Sequence, residues 1–310
     1  MPEVSVIMVC MGSPQKHLEA CLEGLRAHTG VSYEVLVVAY LWPAQEKEAF
    51  AQAHPEVTLI FSDQTRGFSE NNNLALPRAK GRYCLVLNDD TRIDMPVVDA
   101  LMADFKRLPS DTAVVCPCIR LADGSLQTCG RAPWTPFRYA LHYLHLVNEA
   151  KPGRWNLLPE YPSDPALFRT FTLNGACFLI RTDVFRSVGW FDERFFFTPE
   201  DIALGHRLND FGYSVWADAR ISITHLAGGS VSQMEQAIKP ARVRGSLIFY
   251  GEPLLLKLFI CAVEALRYVK NGLVKPRTAH SVLMRRTAAN VLRTVFSRET
   301  PKAIFLRFKP

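Results

Sequence analysis

Apolar and polar positions alternate between two rhythms along the first hundred residues. Val4–Val9 is a short, β-branched apolar run that ends in the turn residues Gly12, Ser13 and Pro14, and Leu18, Cys21, Leu22 and Leu25 then recur at helical spacing. Glu34–Val38 reads as a second strand, Glu46–Ala53 as a helix, and Val57–Phe61 as a third strand. Asn71–Ala79 follows as a helix, and Tyr83–Leu87 as a fourth strand whose apolar side chains on both faces place it centrally in a parallel sheet. Alternation of this kind predicts an open α/β, doubly wound sheet. Such sheets hold ligands at the carboxyl ends of their strands, so functional residues are expected just after Val9, Val38, Phe61 and Leu87.

The rhythm loosens further on. Val114–Arg120, Phe178–Ile180 and Tyr213–Ala217 read as strands and Ile202–Phe211 as a helix, with no internal repeat. Ala132–Leu167 mixes Pro, Trp, Tyr and His without a period, which suggests a binding flap. From Leu254 to Asn271 the polar residues Lys257, Glu264, Arg267 and Asn271 fall in one narrow stripe of a helix, opposite a wide apolar surface. That surface either docks on the rest of the protein or lies in a membrane interface. Arg285, Arg286, Arg293 and Arg298, set among Val282, Leu283, Val291, Leu292, Val295 and Phe296, suggest a second, basic amphipathic helix.

Charge sharpens this division. Residues 239–310 hold 15 Lys and Arg against 3 Glu, a balance of +12, whereas residues 1–238 hold 21 against 27, a balance of −6. The chain therefore reads as a domain over 1–238, with halves of about 1–115 and 116–238, followed by a basic helical tail over 239–310 that calls for an anionic partner. A composition of 48% hydrophobic and 21% charged residues is that of a globular protein. No run of 18 uncharged apolar residues suggests a transmembrane helix. No basic segment precedes the first apolar run, so no secretory signal is expected and the compartment is read as the cytosol. The eight cysteines form no Cys-x-x-Cys pair and are read as free core thiols in a reducing compartment.

Two acidic pairs stand where chemistry is expected. Asn88-Asp89-Asp90-Thr91 follows the fourth strand, and its adjacent carboxylates suit Mn²⁺ or Mg²⁺ beside substrate phosphates, or else form an Asx-type turn. Glu200-Asp201 opens a helix after Phe195-Phe196-Phe197, as a first-turn cap or as a partly desolvated general base. His225, at the end of Ile221–Thr224 and before Gly228-Gly229-Ser230, is either structural or a metal ligand.

Together these segments resemble family 2 glycosyltransferases. The resemblance runs in order through Arg66-Gly67-Phe68-Ser69-Glu70-Asn71-Asn72-Asn73, Ala79-Lys80-Gly81-Arg82-Tyr83 and Leu85–Thr91. It continues through Asn174–Arg181, Val188–Phe196, Glu200-Asp201, Arg207-Leu208, Gly212-Tyr213 and Thr224-His225. Gly124–Arg131 is similar to the branch that includes bacterial rhamnosyltransferases. The resemblance implies a GT-A (Rossmann-like) mixed sheet with C-terminal helices, a nucleotide-sugar donor, and inversion at the anomeric carbon. It implies that Asp90 and His225 hold the metal, with Asn88 and Asp89 beside the donor. Asp201 would deprotonate the acceptor, supported by Glu200, and Gly175 with Ala176 would leave space for the donor sugar. Arg66, Gly67 and Asn72 are assigned to the donor side, and Trp190, Asp192 and Gln127 to the acceptor side.

One feature departs from that pattern. The family usually has an Asp after the second strand, and here Val37-Val38-Ala39-Tyr40 carries none, so Tyr40 stacking on the base or Asp63 is the expected substitute. The implied acceptor is a glycan or a polyprenyl-diphosphate-linked sugar of cell-surface polysaccharide synthesis, met at the cytoplasmic face of an anionic membrane. A catalytically inactive nucleotide-sugar-binding module is the alternative reading. A nucleic-acid partner for the basic tail is a further one, set aside because the body is acidic and carries no binding motif for it.

Overall fold

A computed structural model of the protein describes residues 1–14, 17–147, 167–226, 234–274 and 277–309. Its strands are β1 (Val4–Met11), β2 (Tyr33–Tyr40), β3 (Val57–Ser62), β4 (Tyr83–Leu87), β5 (Thr91–Arg92), β6 (Thr112–Leu121), β7 (Leu126–Thr128), β8 (Leu167–Thr170), β9 (Cys177–Arg181) and β10 (Ser214–His225). Its helices are α1 (Leu18–His28), α2 (Ala44–Ala53), α3 (Phe68–Ala75), α4 (Val97–Phe105), α5 (Pro136–Tyr143), α6 (Thr182–Ser187), α7 (Glu200–Asp210), α8 (Glu235–Phe249), α9 (Leu254–Leu273), α10 (Ala279–Thr294) and α11 (Pro301–Phe308).

The chain divides into two compact units, and the division is not a cut at residue 238. One unit is Met1–Pro133, Asn148–Asp192 and Asp201–Ala227; the other is Trp134–Val147, Glu193–Glu200 and Gly228–Pro310. The C-terminal helices thus take in α5 and the Phe195–Phe197 run, because those aromatics supply core that a short basic tail lacks. The flap expected over Ala132–Leu167 becomes α5 in part, and residues 148–166 lie outside the described residues, as does the glycine pair after His225.

The first unit is a single sheet in the order β3-β2-β1-β4-β9-β6-β10-β5, with β7 on β6 and β8 on β10. The pairs among β3, β2, β1 and β4 are parallel, whereas β9 runs antiparallel to both β4 and β6. β4 is therefore central, as its apolar run predicts, but in a mixed rather than a wholly parallel setting. Apart from Tyr213, the segments Tyr213–Ala217 and Ile221–Thr224 belong to one strand, β10, whose register on β6 shifts between Asp218 and Ser222. On β1, Val4, Val6, Met8 and Cys10 join a core with α1, Phe50 of α2 and α4, while Ile7 joins one with α3, α6 and α7. That is the period-two signature of a sheet covered on both faces. Gly81 enters β4 where a Cβ would stand 2.5 Å from the Ser5 backbone nitrogen, so only glycine fits.

The second unit is helical. One core joins Tyr143 of α5 with Val243, Leu247, Leu256, Ile260, Val291 and Val295, and another joins Phe196 with Ala237, Ile238, Ala241, Ile304 and Phe305. α9 is rotated opposite to what amphipathic burial leads one to expect. Its polar stripe faces inward: Glu264 is fully buried, accepting from Tyr143 Oη at 2.6 Å, Lys239 Nζ at 2.9 Å and Arg267 Nη1 at 2.5 Å. Lys257 likewise turns to Glu252, at 2.6 Å. Burial alone would raise the Glu264 carboxyl, yet its three partners together hold it below its ordinary value.

The cysteines require a correction. Six are free, but Cys118 and Cys129 form a disulfide. β6 and β7 pair with Ile119 opposite Thr128, so the next position along each strand sets Cys118 against Cys129, with Cα atoms 4.3 Å apart. A spacing of 11 residues gives no hint of that register.

Candidate active site

The site is built at the carboxyl ends of β1, β2 and β4 and on the segments that face them. After β4 the chain turns at Asn88, whose backbone N–H donates to Ala176 O at 2.9 Å, and Thr91 Oγ1 closes the turn on Asn88 O at 2.8 Å. β5 then pairs with the end of β10, setting His225 opposite Thr91. The result is a His225 Nε2 to Asp90 Oδ1 distance of 3.1 Å, with Asn88 Nδ2 3.5 Å from the same nitrogen. The other ring nitrogen, Nδ1, lies 3.0 Å from Gln127 Oε1. With Nδ1 donating to Gln127, Nε2 meets the carboxylate oxygen either through a proton or through a cation that both could bind. A divalent cation fits: one carboxylate oxygen and one imidazole nitrogen are available, with the remaining ligands left to diphosphate oxygens and water. Among the described residues no group of three or more His, Cys, Asp or Glu side chains converges on one point. Asp89 is largely buried against Cys10, and burial, with help from Asp90, raises its carboxyl above the ordinary value.

Asp201 lies in the first turn of α7. Its Oδ2 accepts from Arg131 Nη1 at 2.9 Å and from the Gly175 N–H at 3.2 Å, and its Oδ1 accepts from Ile202 N at 2.7 Å. Asp201 and Arg131 are each about one-seventh exposed, at 14% and 15% of their side chains. The neighbours Gly175 and Ala176 thus touch Asp201 and the Asn88 turn respectively, which ties the two acidic elements to one short strand of backbone. Of the aromatic run that precedes it, Phe195 packs on Phe249, and Phe196 and Phe197 on Phe305. Glu200 is buried.

The donor-side candidates separate into two kinds. Tyr40 is 8% exposed at the end of β2, with its hydroxyl accepting from Arg66 N at 3.2 Å, so most of its ring is packed away. Arg66 Nε is buried with no hydrogen-bond partner among the described residues, while its Nη2 donates to Gln64 Oε1 at 3.3 Å. Asp63 is 65% exposed and paired with Lys47 at 2.5 Å. Gly67 caps α3, its N–H donating to Glu70 Oε2 at 2.8 Å. Asn72 is buried and donates to Phe68 O at 2.9 Å, a contact within its own helix. Its neighbour Asn73 grips the Phe191 backbone at both ends, donating to its carbonyl at 3.0 Å and accepting from its N–H at 3.2 Å. A Cβ on Gly175 would meet only ordinary van der Waals contacts, 3.5 Å from Phe68 and 3.8 Å from Asp201, so packing alone does not demand glycine there.

On the assigned acceptor side, Trp190 adopts φ +60° with its carbonyl held by Arg207, and Asp192 is half-buried. Gln127 goes to His225 instead. Sequence reasoning did not single out Arg131, the final residue of the Gly124–Arg131 segment; only its place in that segment offered a signal.

Glycosyl transferase family 2 matches residues 5–189. The chain is 30% identical over 234 residues to the O-antigen biosynthesis protein RfbC of Myxococcus xanthus, across 72% of this chain but only 17% of that protein's length. It is 26% identical over 239 residues to the N-acetylglucosaminyl-diphospho-decaprenol L-rhamnosyltransferase of Mycobacterium tuberculosis, across 73% of this chain and 78% of the relative. Among solved structures, GalNAc-T7 with UDP, GalNAc and Mn²⁺ superposes with a TM-score of 0.59 at 12% identity, covering 99% of this chain and 58% of that one. The mannosyltransferase PcManGT of Pyrobaculum calidifontis, with GDP-Man and Mn²⁺, gives 0.54 at 14% identity, covering 96% and 88%. These two likenesses identify the fold as GT-A.

Proposed function

The chain belongs to glycosyl transferase family 2, and from that premise we propose that it is an inverting, metal-dependent glycosyltransferase of polysaccharide synthesis. It moves a sugar from a nucleoside-diphosphate donor to a hydroxyl of a lipid-linked glycan. The observation that carries the reading is the pairing of two acidic elements through Gly175 and Ala176: Asp90 with His225 on one side, Asp201 with Arg131 on the other. Asp90 and His225 would hold Mn²⁺ or Mg²⁺, which supplies positive charge to the departing diphosphate. Arg66, with its unpartnered buried Nε, adds a donor toward the same phosphates.

Asp201 is the group that takes the acceptor proton. Arg131 and the Gly175 N–H both hold Oδ2, and Ile202 N holds Oδ1, so the carboxylate is fixed in one orientation before substrate arrives. Asn88, Asp89 and Ala176 would frame the site, Glu200 would support Asp201 as its neighbour in sequence, and Trp190 and Asp192 would serve the acceptor. A rhamnosyl donor and a polyprenyl-diphosphate-linked acceptor follow the name of the Mycobacterium tuberculosis relative. The basic helical unit is the part we place against the anionic face of a membrane, on the cytoplasmic side where nucleotide sugars are made.

A thermal-shift panel of nucleotide sugars with Mn²⁺, Mg²⁺ or chelator tests this reading. The wild type should be stabilised by one nucleotide sugar only when a divalent cation is present, and Asp90→Ala should lose that dependence while still folding. Equal stabilisation in chelator would overturn the metal assignment.

A further inference from the structure

α9 presents an apolar face to solvent. Leu254, Leu255, Leu258, Leu266, Val269 and Leu273 are 61%, 81%, 50%, 71%, 55% and 77% exposed. At 100° per residue they fall within an arc of roughly 120°. The inward arc carries Lys257, Glu264, Arg267 and Asn271, and the ion cluster around Glu264 fixes the helix in that rotation. With 20 residues α9 is long enough to span a bilayer, yet its charged inner stripe is incompatible with crossing, and among the described residues no helix is long and apolar enough to do so. An amphipathic helix in this rotation suits the plane of an interface.

Beside that stripe lies a cavity of about 260 Å³ between α9 and α10, lined by Tyr268, Arg285, Arg286, Asn290 and Arg293, with Val282 and Ala289 behind them. Arg286 and Arg293 are seven residues apart on one face of α10 and have no acidic partner among the described residues. The three acids beyond residue 238 are all committed elsewhere: Glu252 to Arg244 and Lys257, Glu264 to Lys239 and Arg267, and Glu299 to Arg307. The charges of Arg286 and Arg293, next to the leucine stripe, therefore meet no carboxylate among the described residues. A second copy of the chain docked on this face would bring like charges together, whereas an anionic bilayer satisfies both the apolar stripe and the arginines.

We propose that the outward stripe of α9 inserts into the surface of an anionic bilayer, and that the Arg285–Arg286–Arg293 cavity holds the phosphate of a phospholipid headgroup. This rests on the reading above that the helical unit meets a membrane, and it adds the residues and the ligand. The guanidinium groups donate to phosphate oxygens in the geometry that favours Arg over Lys. Tyr268, on the flank of the stripe next to Val269, marks where the apolar and polar parts meet.

The test is flotation of the full chain on vesicles of phosphatidylcholine with and without phosphatidylglycerol. The wild type should float with the anionic vesicles. Arg286→Ala with Arg293→Ala should lower partition onto them by about 30-fold, the worth of two basic residues at an anionic surface. Leu255→Ser with Leu266→Ser should lower partition onto both kinds of vesicle. All four positions are exposed or flank solvent, and a circular-dichroism melt checks that each variant folds as the wild type does. Flotation of the arginine variant equal to wild type overturns the headgroup site. A wild type that fails to float but sediments as a dimer gives the face to a second copy and overturns the proposal. Donor-induced thermal shifts, measured on the same samples, separate the two readings: flotation without any nucleotide-sugar shift would sink the glycosyltransferase assignment and leave the membrane surface standing.

Discussion

The sheet unit and the helical unit solve burial in opposite ways. In the sheet unit the strands bury their apolar side chains on both faces, and charged groups pair off the sheet's edges, Asp90 with His225 and Asp201 with Arg131. In the helical unit α9 buries a glutamate, Glu264, paired with Lys239 of α8 and with its own half-buried Arg267, and leaves Leu254, Leu255, Leu258, Leu266 and Leu273 outside. A buried ion cluster contributes little net stability because desolvation offsets its attraction. It does, however, fix orientation: with Glu264 held by three partners, α9 cannot roll its leucines inward without stranding charges. The first unit keeps its charged pairs apart from its apolar layers, and the second uses an ion cluster to hold an apolar surface outward.

The sharpest way to break this comparison is at Asp201. Asp201→Asn keeps the side chain's size but removes its basicity, and transfer to the acceptor should fall by about 10²–10⁴-fold. Donor-induced thermal shifts should be unchanged, since the donor contacts are those proposed for Asp90, His225 and Arg66. A loss of donor affinity with turnover intact at saturation would make Asp201 a binding residue.

The matching experiment in the helical unit is Glu264→Ala. It leaves Lys239 and Arg267 facing each other across Tyr143 without a counter-charge, and should cost about 3–5 kcal/mol in urea unfolding. Leu255→Ser, on the outer stripe of the same helix, should change stability by less than about 0.5 kcal/mol. Equal effects at the two positions would show that α9 is not held by its ions.

A smaller effect is expected at Tyr40. Removal of its hydroxyl in Tyr40→Phe leaves the Arg66 N–H without its 3.2 Å acceptor. The expected loss is about 1 kcal/mol, in stability and in nucleoside-diphosphate affinity measured by calorimetry. Unchanged affinity would return Tyr40 to a stacking role, which the phenyl ring preserves.

The smallest effect is a pH dependence. Arg244 and Lys257 hold the Glu252 carboxyl down at about 2, against an ordinary 4.5. A carboxyl depressed in the folded state stabilises fully above its unfolded value, and that contribution disappears as pH falls from about 4.5 toward 2. The side chain is 35% exposed, so solvent screening keeps the contribution below about 1 kcal/mol. Melting of the wild type should therefore decline slightly more steeply over that window than melting of Glu252→Gln.

Much of the sheet unit was legible because short strands and helices carry their burial in their own periodicity: β1 to β4 fall where the apolar runs put them, and Asp89-Asp90 sits at the end of β4. α9 was legible only as two faces. Periodicity separates a leucine arc from a charged arc but does not say which one turns inward, and that choice depends on Tyr143 and Lys239, 121 and 25 residues from Glu264. Arg131 escaped notice for the same reason, since its carboxylate partner lies 70 residues further along. The Cys118–Cys129 bond followed from the register of two strands, which no spacing rule encodes.

The excursion at the end of β6 has a mechanical consequence. Gln127 steadies His225 and Arg131 steadies Asp201, and the two stand four residues apart on a segment fastened to β6 through Cys129. A shift of that segment relative to the sheet would disturb both contacts together. The imidazole and the carboxylate, which belong to different strands and helices, thus share a single lever, and their alignment is gained or lost in phase.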